Sequence, residues 1–205
     1  MSDKKIIIAA LLLSVLIIGG GWYYSKNRPP TASVAAPLAA AITTQGITIG
    51  NPAAPVTIEE YTNFLCPACA SFAANAYKNI TEDYVKTGQI KFVLYIYPPF
   101  ELGRAALCAN EQNKFAEYHD YLFAHQGEID AEQKIKDFAR AAGLNGDEFI
   151  QCYDGATFKD APASWYQEGQ ARKVDATPTF FINGQKLVGA QPYAEFKKII
   201  DEKLK

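Results

Sequence analysis

Apolar and polar positions divide the chain into stretches of different period. The first, Ile6 to Tyr24, has none: nineteen uncharged residues, with Ser14 the polar break before Trp22-Tyr23-Tyr24. At about 1.5 Å per helical residue this run spans roughly 28 Å, close to a bilayer's hydrocarbon core, with aromatics where an interface belt would lie. A cleaved signal is the competing reading. Its apolar part is usually about 7 to 15 residues and is followed closely by small residues. Here the Ala-rich stretch Ala32 to Ala41 lies beyond Lys26, Arg28, Pro29 and Pro30. Residues 1–24 are therefore expected to be an N-terminal membrane anchor or a signal sequence, and either one exports the rest of the chain. Residues 25–45, rich in Ala, Pro, Ser and Thr, read as a flexible linker to a folded domain at 46–205.

Within that domain the periods change in order. Ile47 to Gly50 and Val56 to Phe64 are β-branched and aromatic with partial alternation, which predicts two strands. From Cys66 to Lys86, apolar Phe72, Ala73, Ala76, Ile80 and Tyr84 fall at helical spacing, and Gly88 marks the stop. "IKFVLYIYPPF" predicts a strand that Pro98 and Pro99 end. From about 101 to 173 the pattern is helical, in three segments divided by Gly127, Gly143 and Gly146. "TPTFFING" and "QKLVG" predict a hairpin turning at Asn183-Gly184, and "PYAEFKKIIDEKL" a closing amphipathic helix.

Composition sharpens this picture at two points. A 49% hydrophobic, 13% aromatic chain of 205 residues can build a sizeable core. Beyond residue 30 it carries 16 Lys and Arg against 21 Asp and Glu, without a basic block, which argues against nucleic acid as a partner.

The chemistry centres on "NFLCPACASF", Asn63 to Phe72. Two cysteines two residues apart fit half a zinc site, a structural disulfide or a redox dithiol. Neither the isolated Cys108 and Cys152 nor the two histidines are spaced to complete a zinc site. No phosphate loop or ligand cluster is evident, so no cofactor and no metal is expected. A helix start beside Cys66 would favour its thiolate, because first-turn amides lack intrahelical partners and the macrodipole is positive there. Cys66 is then the nucleophile and Cys69 the resolving thiol. Cys108 and Cys152 make an even count in an oxidising compartment, and pairing them leaves the C-x-x-C unit intact. Two buried free thiols or a second redox couple stay open. His119 and His125 fall on helical segments, where packing is the simpler role, and "NIT" at Asn79 lies on a predicted helix.

The order of strands, C-x-x-C at a helix start, strand, helical block, Thr-Pro, hairpin and helix resembles the DsbA-like thiol-disulfide oxidoreductases, near their membrane-anchored DsbA/BdbD-type members. The matching positions are Glu60, Cys66-Pro67-Ala68-Cys69, "FAEYHDYLF" and Thr177-Pro178-Thr179-Phe180. The resemblance implies an α/β thioredoxin fold with a helical subdomain inserted at about 101–173, preceded by the N-terminal transmembrane anchor. It also implies a cis Thr177-Pro178 loop facing Cys66, and a buried Glu60 that relays the proton of Cys69. Glu59 and Glu60 are adjacent, so one must face inward if this stretch is a strand. Partners implied are exported proteins bound as extended peptides and a membrane-embedded partner that reoxidises the dithiol. The expected location is extracytoplasmic, tethered by residues 6–24. Pro67-Ala68 lacks the histidine of strongly oxidising members, which leaves a reductase or isomerase open. A thioredoxin-fold module holding a soft ion such as Cu(I) is the rival from another class, although no Met or His flanks the thiols.

Overall fold

A computed structural model describes residues 46–205. The expected anchor at 6–24 and the linker at 25–45 lie outside the described residues. Among those described, no helix is long and apolar enough to cross a membrane.

Five strands form one mixed sheet: β1 (Ile47–Gly50), β2 (Val56–Thr62), β3 (Ile90–Ile96), β4 (Thr179–Ile182) and β5 (Gln185–Val188), in the order β1-β3-β2-β4-β5. β2 and β3 run parallel, and the other neighbours are antiparallel. A parallel pair needs a crossover. Here α1 (Pro67–Ala74), α2 (Ala76–Ile80) and a π-helical turn (Thr81–Val85) provide it.

The sequence predicts one helix through this crossover, but the backbone breaks at Asn75 (φ −119°, ψ −87°), whose side-chain amide donates to the Ser71 carbonyl. The helical insertion is likewise more divided than its periodicity suggests. It comprises α3 (Phe100–Glu111), α4 (Phe115–Ala124), α5 (Glu132–Ala141), α6 (Gly146–Asp154) and α7 (Ala161–Ala171). The predicted first segment splits where Asn113 adopts φ 54°, and the third splits at Gly155. These are turn residues within apolar-periodic runs, which periodicity alone reads through. α8 (Tyr193–Lys203) closes the chain.

The core is aromatic on both sides of the sheet. Phe72 of α1 meets Phe180, Phe196, Phe92 and Tyr77 on one side. On the other, Tyr61 stacks on Tyr95 at 4.8 Å, and Trp165 of α7 packs edge-on against Tyr95. Gly169 of α7 lets the Tyr97 ring lie close against this helix, since a Cβ there would fall 1.9 Å from the Tyr97 hydroxyl. Within the insertion, Cys108 of α3 and Cys152 of α6 are joined, with Cα atoms 5.7 Å apart across 44 residues of sequence.

Candidate active site

Strand order brings the site together. β2 and β4 are antiparallel neighbours with Tyr61 opposite Thr179. The chain leaving β2 and the chain entering β4 therefore meet at one end of the sheet. The first carries Cys66 and the second Thr177-Pro178, whose peptide bond is cis. Cys66 Sγ lies 3.3 Å from the Thr177 carbonyl oxygen, to which its thiol donates.

Cys66 occupies the N-cap of α1 in an extended conformation (φ −88°, ψ 120°), and Pro67 begins the helix, where its missing N–H costs nothing. Cys69, one turn in, is fully buried, and both cysteines carry free thiols. Partial burial by itself would raise the Cys66 pKa. Hydrogen bonding by the Thr177 side chain, by the Cys69 N–H and thiol and by the Ala68 N–H outweighs it and holds the thiol below its ordinary value. Cys69 moves the other way, pushed up to about 12, chiefly by burial and further by the charge of Glu60, against hydrogen bonds from Thr62 and the Asn63 backbone. One thiol is thus poised to be a thiolate, and its neighbour to hold its proton.

The two glutamates separate as the pleat requires. Glu60 is 1% exposed, with Oε2 lacking a hydrogen-bond partner, and burial raises its pKa to about 8 despite the Thr62 hydroxyl. Glu59 faces the opposite side, where Arg172 grips it through two bonds of 2.8 Å while lying 3.8 Å over the Phe181 ring.

Three residues outside the expected set build the frame. Asn63 accepts from the Leu65 N–H through Oδ1 (2.7 Å) and donates to the Pro98 carbonyl through Nδ2 (2.6 Å). It thereby ties the turn before Cys66 to a second cis peptide, Pro98-Pro99. Gln126, just beyond α4, donates to the Phe64 carbonyl at 2.6 Å and pins the insertion beside that turn. Thr62 supplies the hydroxyl that Glu60 and Cys69 both feel. Asn63 had a legible signal, an Asn two residues before a turn amide it can cap; Gln126 had none.

Aromatic packing surrounds both histidines. His119 is buried against Phe64, Tyr77, Phe115 and Phe123 with Nδ1 2.9 Å from Asp120, and His125 stacks on Tyr121. Among the described residues, no group of three or more His, Cys, Asp or Glu is placed to hold a metal.

A thiol at a helix start, a buried partner one turn in and a cis-proline loop against the outer sulfur define a thioredoxin-fold dithiol protein. The family model described as Thioredoxin matches residues 43–202. The chain belongs to this family, among its DsbA-like thiol-disulfide oxidoreductases. It is 25% identical over 169 residues to Disulfide bond formation protein D of Bacillus subtilis, covering 77% of this chain and 76% of that one. The crystal structure of oxidised BdbD from Bacillus subtilis matches with a TM-score of 0.65 and 26% identity over 80% of this chain and 94% of its own. Wolbachia pipientis alpha-DsbA1 shares the fold at a TM-score of 0.69 and 21% identity, over 77% of this chain and 89% of that one.

Proposed function

We propose that Cys66 and Cys69 form the exchanging couple of a dithiol oxidase that introduces disulfides into exported proteins. The observation that carries this reading is the asymmetry of the two thiols, Cys66 lowered and held against Thr177, Cys69 buried and raised. Starting from the Cys66–Cys69 disulfide, a client thiolate attacks Cys66 Sγ. The client–Cys66 bond forms, the Cys66–Cys69 bond breaks, and Cys69 leaves as a thiolate that takes up a proton, with Glu60 as the relaying acid. A second client thiolate then attacks the client sulfur, closing the client disulfide and releasing Cys66 as the stabilised thiolate. Two electrons have passed from client to protein. A membrane-embedded partner bearing its own disulfide removes them, and residues 6–24 hold the domain on the extracytoplasmic face beside it.

The Thr177-Pro178 loop is the edge along which an extended client would lie, with Cys108–Cys152 as a stabilising bridge remote from exchange. Relatives named for disulfide bond formation favour the oxidising direction. The Pro67-Ala68 dipeptide, with no imidazole to hold the Cys66 thiolate, argues against an extreme oxidising potential and leaves the couple within the roughly −120 to −270 mV range spanned by such proteins. A reductase or isomerase working through the same site is therefore the second reading, and the measured potential of the couple separates the two. Exchange itself is tested by trapping. Cys69→Ala should accumulate Cys66 mixed disulfides with exported proteins on non-reducing gels, and a gel free of such adducts would defeat the proposal.

A further inference from the structure

On the insertion side of Cys66 a groove of about 240 Å³ is floored by Leu65, Pro99, Leu102, Ile129 and Ile135, and the carboxylates of Glu101, Asp130 and Glu132 line its margin. Leu102 and Ile135 are 1% and 4% exposed, whereas Leu65, the residue before the nucleophile, is 38% exposed. Three pieces of chain meet here, and the hydrogen bonds already described hold two of them. Asn63 binds the Pro98 carbonyl that leads into α3, and Gln126 binds the Phe64 carbonyl from the turn leading to Ile129.

The charged residues that line this groove, Glu101, Asp130 and Glu132, are of one sign. No salt bridge among the described residues uses Glu101 or Asp130. The nearby cations already have partners, and one of those partners is the groove carboxylate Glu132. Lys136 reaches Asp154 at 2.8 Å and Glu132 at 3.4 Å, Arg104 stacks on Tyr153 at 4.2 Å, and Lys134 lies over Phe138. An apolar floor bounded by an excess of carboxylates suits an apolar side chain with positive charge beside it, and repels the same anchor flanked by negative charge.

We propose that this groove docks a client segment in which an aliphatic or aromatic side chain is flanked by Lys or Arg, delivering the client thiol to Cys66. The proposal rests on the exchange reading of Cys66 and deepens it by naming the sequence class that the site prefers. Leu65 provides the continuity, since its side chain borders the groove and its backbone precedes the nucleophile. Single exposed charges contribute little, so the preference arises from several carboxylates acting within about one Debye length, roughly 8 Å at physiological salt.

The test uses the full chain and two peptides with the same leucine anchor, one Lys-flanked and one Glu-flanked, each made with Cys and with Ser at the reacting position. Binding of the Ser peptides is read by fluorescence anisotropy. The Lys-flanked peptide should bind about tenfold more tightly at low salt, and the gap should narrow at high salt. Glu101→Gln/Asp130→Asn should bring the two affinities near parity, and Glu101→Lys/Asp130→Lys should invert their order, with an unchanged far-UV spectrum reporting the fold. Equal affinities in the unsubstituted protein, or a Lys preference that survives charge reversal, would overturn the groove. Because Ser peptides cannot exchange, this outcome is independent of redox chemistry. Discrimination among Ser peptides, with no peptide disulfide formed when the Cys peptides meet the chain in its Cys66–Cys69 disulfide form, would leave the groove standing and sink the exchange reading instead.

Discussion

The four cysteines make two pairs that share a side chain and little else. Cys66 and Cys69 are separated by one helical turn at the rim of the sheet, with one sulfur partly exposed at a helix start. Cys108 and Cys152 are separated by 44 residues and join α3 to α6 inside the insertion, Cys108 fully buried and Cys152 bordering a cleft of about 450 Å³. In the first pair the surroundings push the two thiols apart: the Thr177 side chain and helix amides lower Cys66, and burial beside Glu60 raises Cys69. The second pair closes a long loop and borders a cleft lined by Phe158, Gln112 and Gln151 together with Glu111 and Glu148. The two pairs therefore differ in their surroundings as well as in their spacing. The difference lies in whether the surroundings stabilise the charged sulfur.

That contrast can be broken most forcefully at the long-range bridge. Closing a loop of 44 residues removes enough unfolded-chain entropy to be worth about 4 kcal/mol. Cys108→Ala/Cys152→Ala should lower stability by an amount of that order in denaturant titration, while peptide-thiol exchange at 25 °C stays within about twofold. Loss of exchange in a folded variant would make the second pair part of the redox machinery.

The next effect is at Glu60. Its pKa rises from 4.5 to about 8 in the folded protein, so between those values the native state holds a proton that the unfolded chain has released. Stability from this group is complete below about pH 4.5 and is lost as pH rises through about 8. Glu60→Gln should leave stability near pH 4.5 little changed and raise it by a few kcal/mol at about pH 9 relative to the parent. Exchange should slow by about tenfold or more as the relay is lost, and the pH–rate profile should lose its inflection near 8. A variant that keeps that inflection would assign it to another group.

The smallest expected change is at Ala68. Ala68→His places an imidazole beside the Cys66 thiolate, which should lower that thiol's pKa further and make the couple more oxidising. A tenfold change in the exchange equilibrium corresponds to about 30 mV. Thiolate absorbance in the far ultraviolet against pH, together with equilibration against glutathione, reads both quantities. A shift toward the reducing side would mean that the Pro67-Ala68 dipeptide does not limit the couple.

Local order along the chain is legible in the amino-acid sequence. The strand-forming runs, the helix start at Cys66, the Asn183-Gly184 hairpin and the closing helix each arise from period, turn residues and caps that act within a few positions. Breaks inside helical runs are less legible: Asn75, Asn113 and Gly155 interrupt apolar patterns that continue beyond them. Sequence also reduces Glu59 and Glu60 to a choice, since strand geometry sends neighbours to opposite faces.

Tertiary structure makes that choice. Glu60 shares a face with Val56 and Ile58 and lies opposite Phe180 of β4, on which Phe72 packs, whereas Glu59 is paired with Arg172, 113 residues away. The same holds for Thr177, which reaches Cys66 across 111 residues because β2 and β4 are antiparallel neighbours. Asn63 and Gln126 join the site through carbonyls whose positions only the folded chain fixes. The amino-acid sequence by itself determined which residues can do sulfur chemistry, because helix starts and thiol spacing are local properties. The folded chain decided which thiol has its pKa lowered and which has it raised, because burial and long-range hydrogen bonds exist only once the strands have paired.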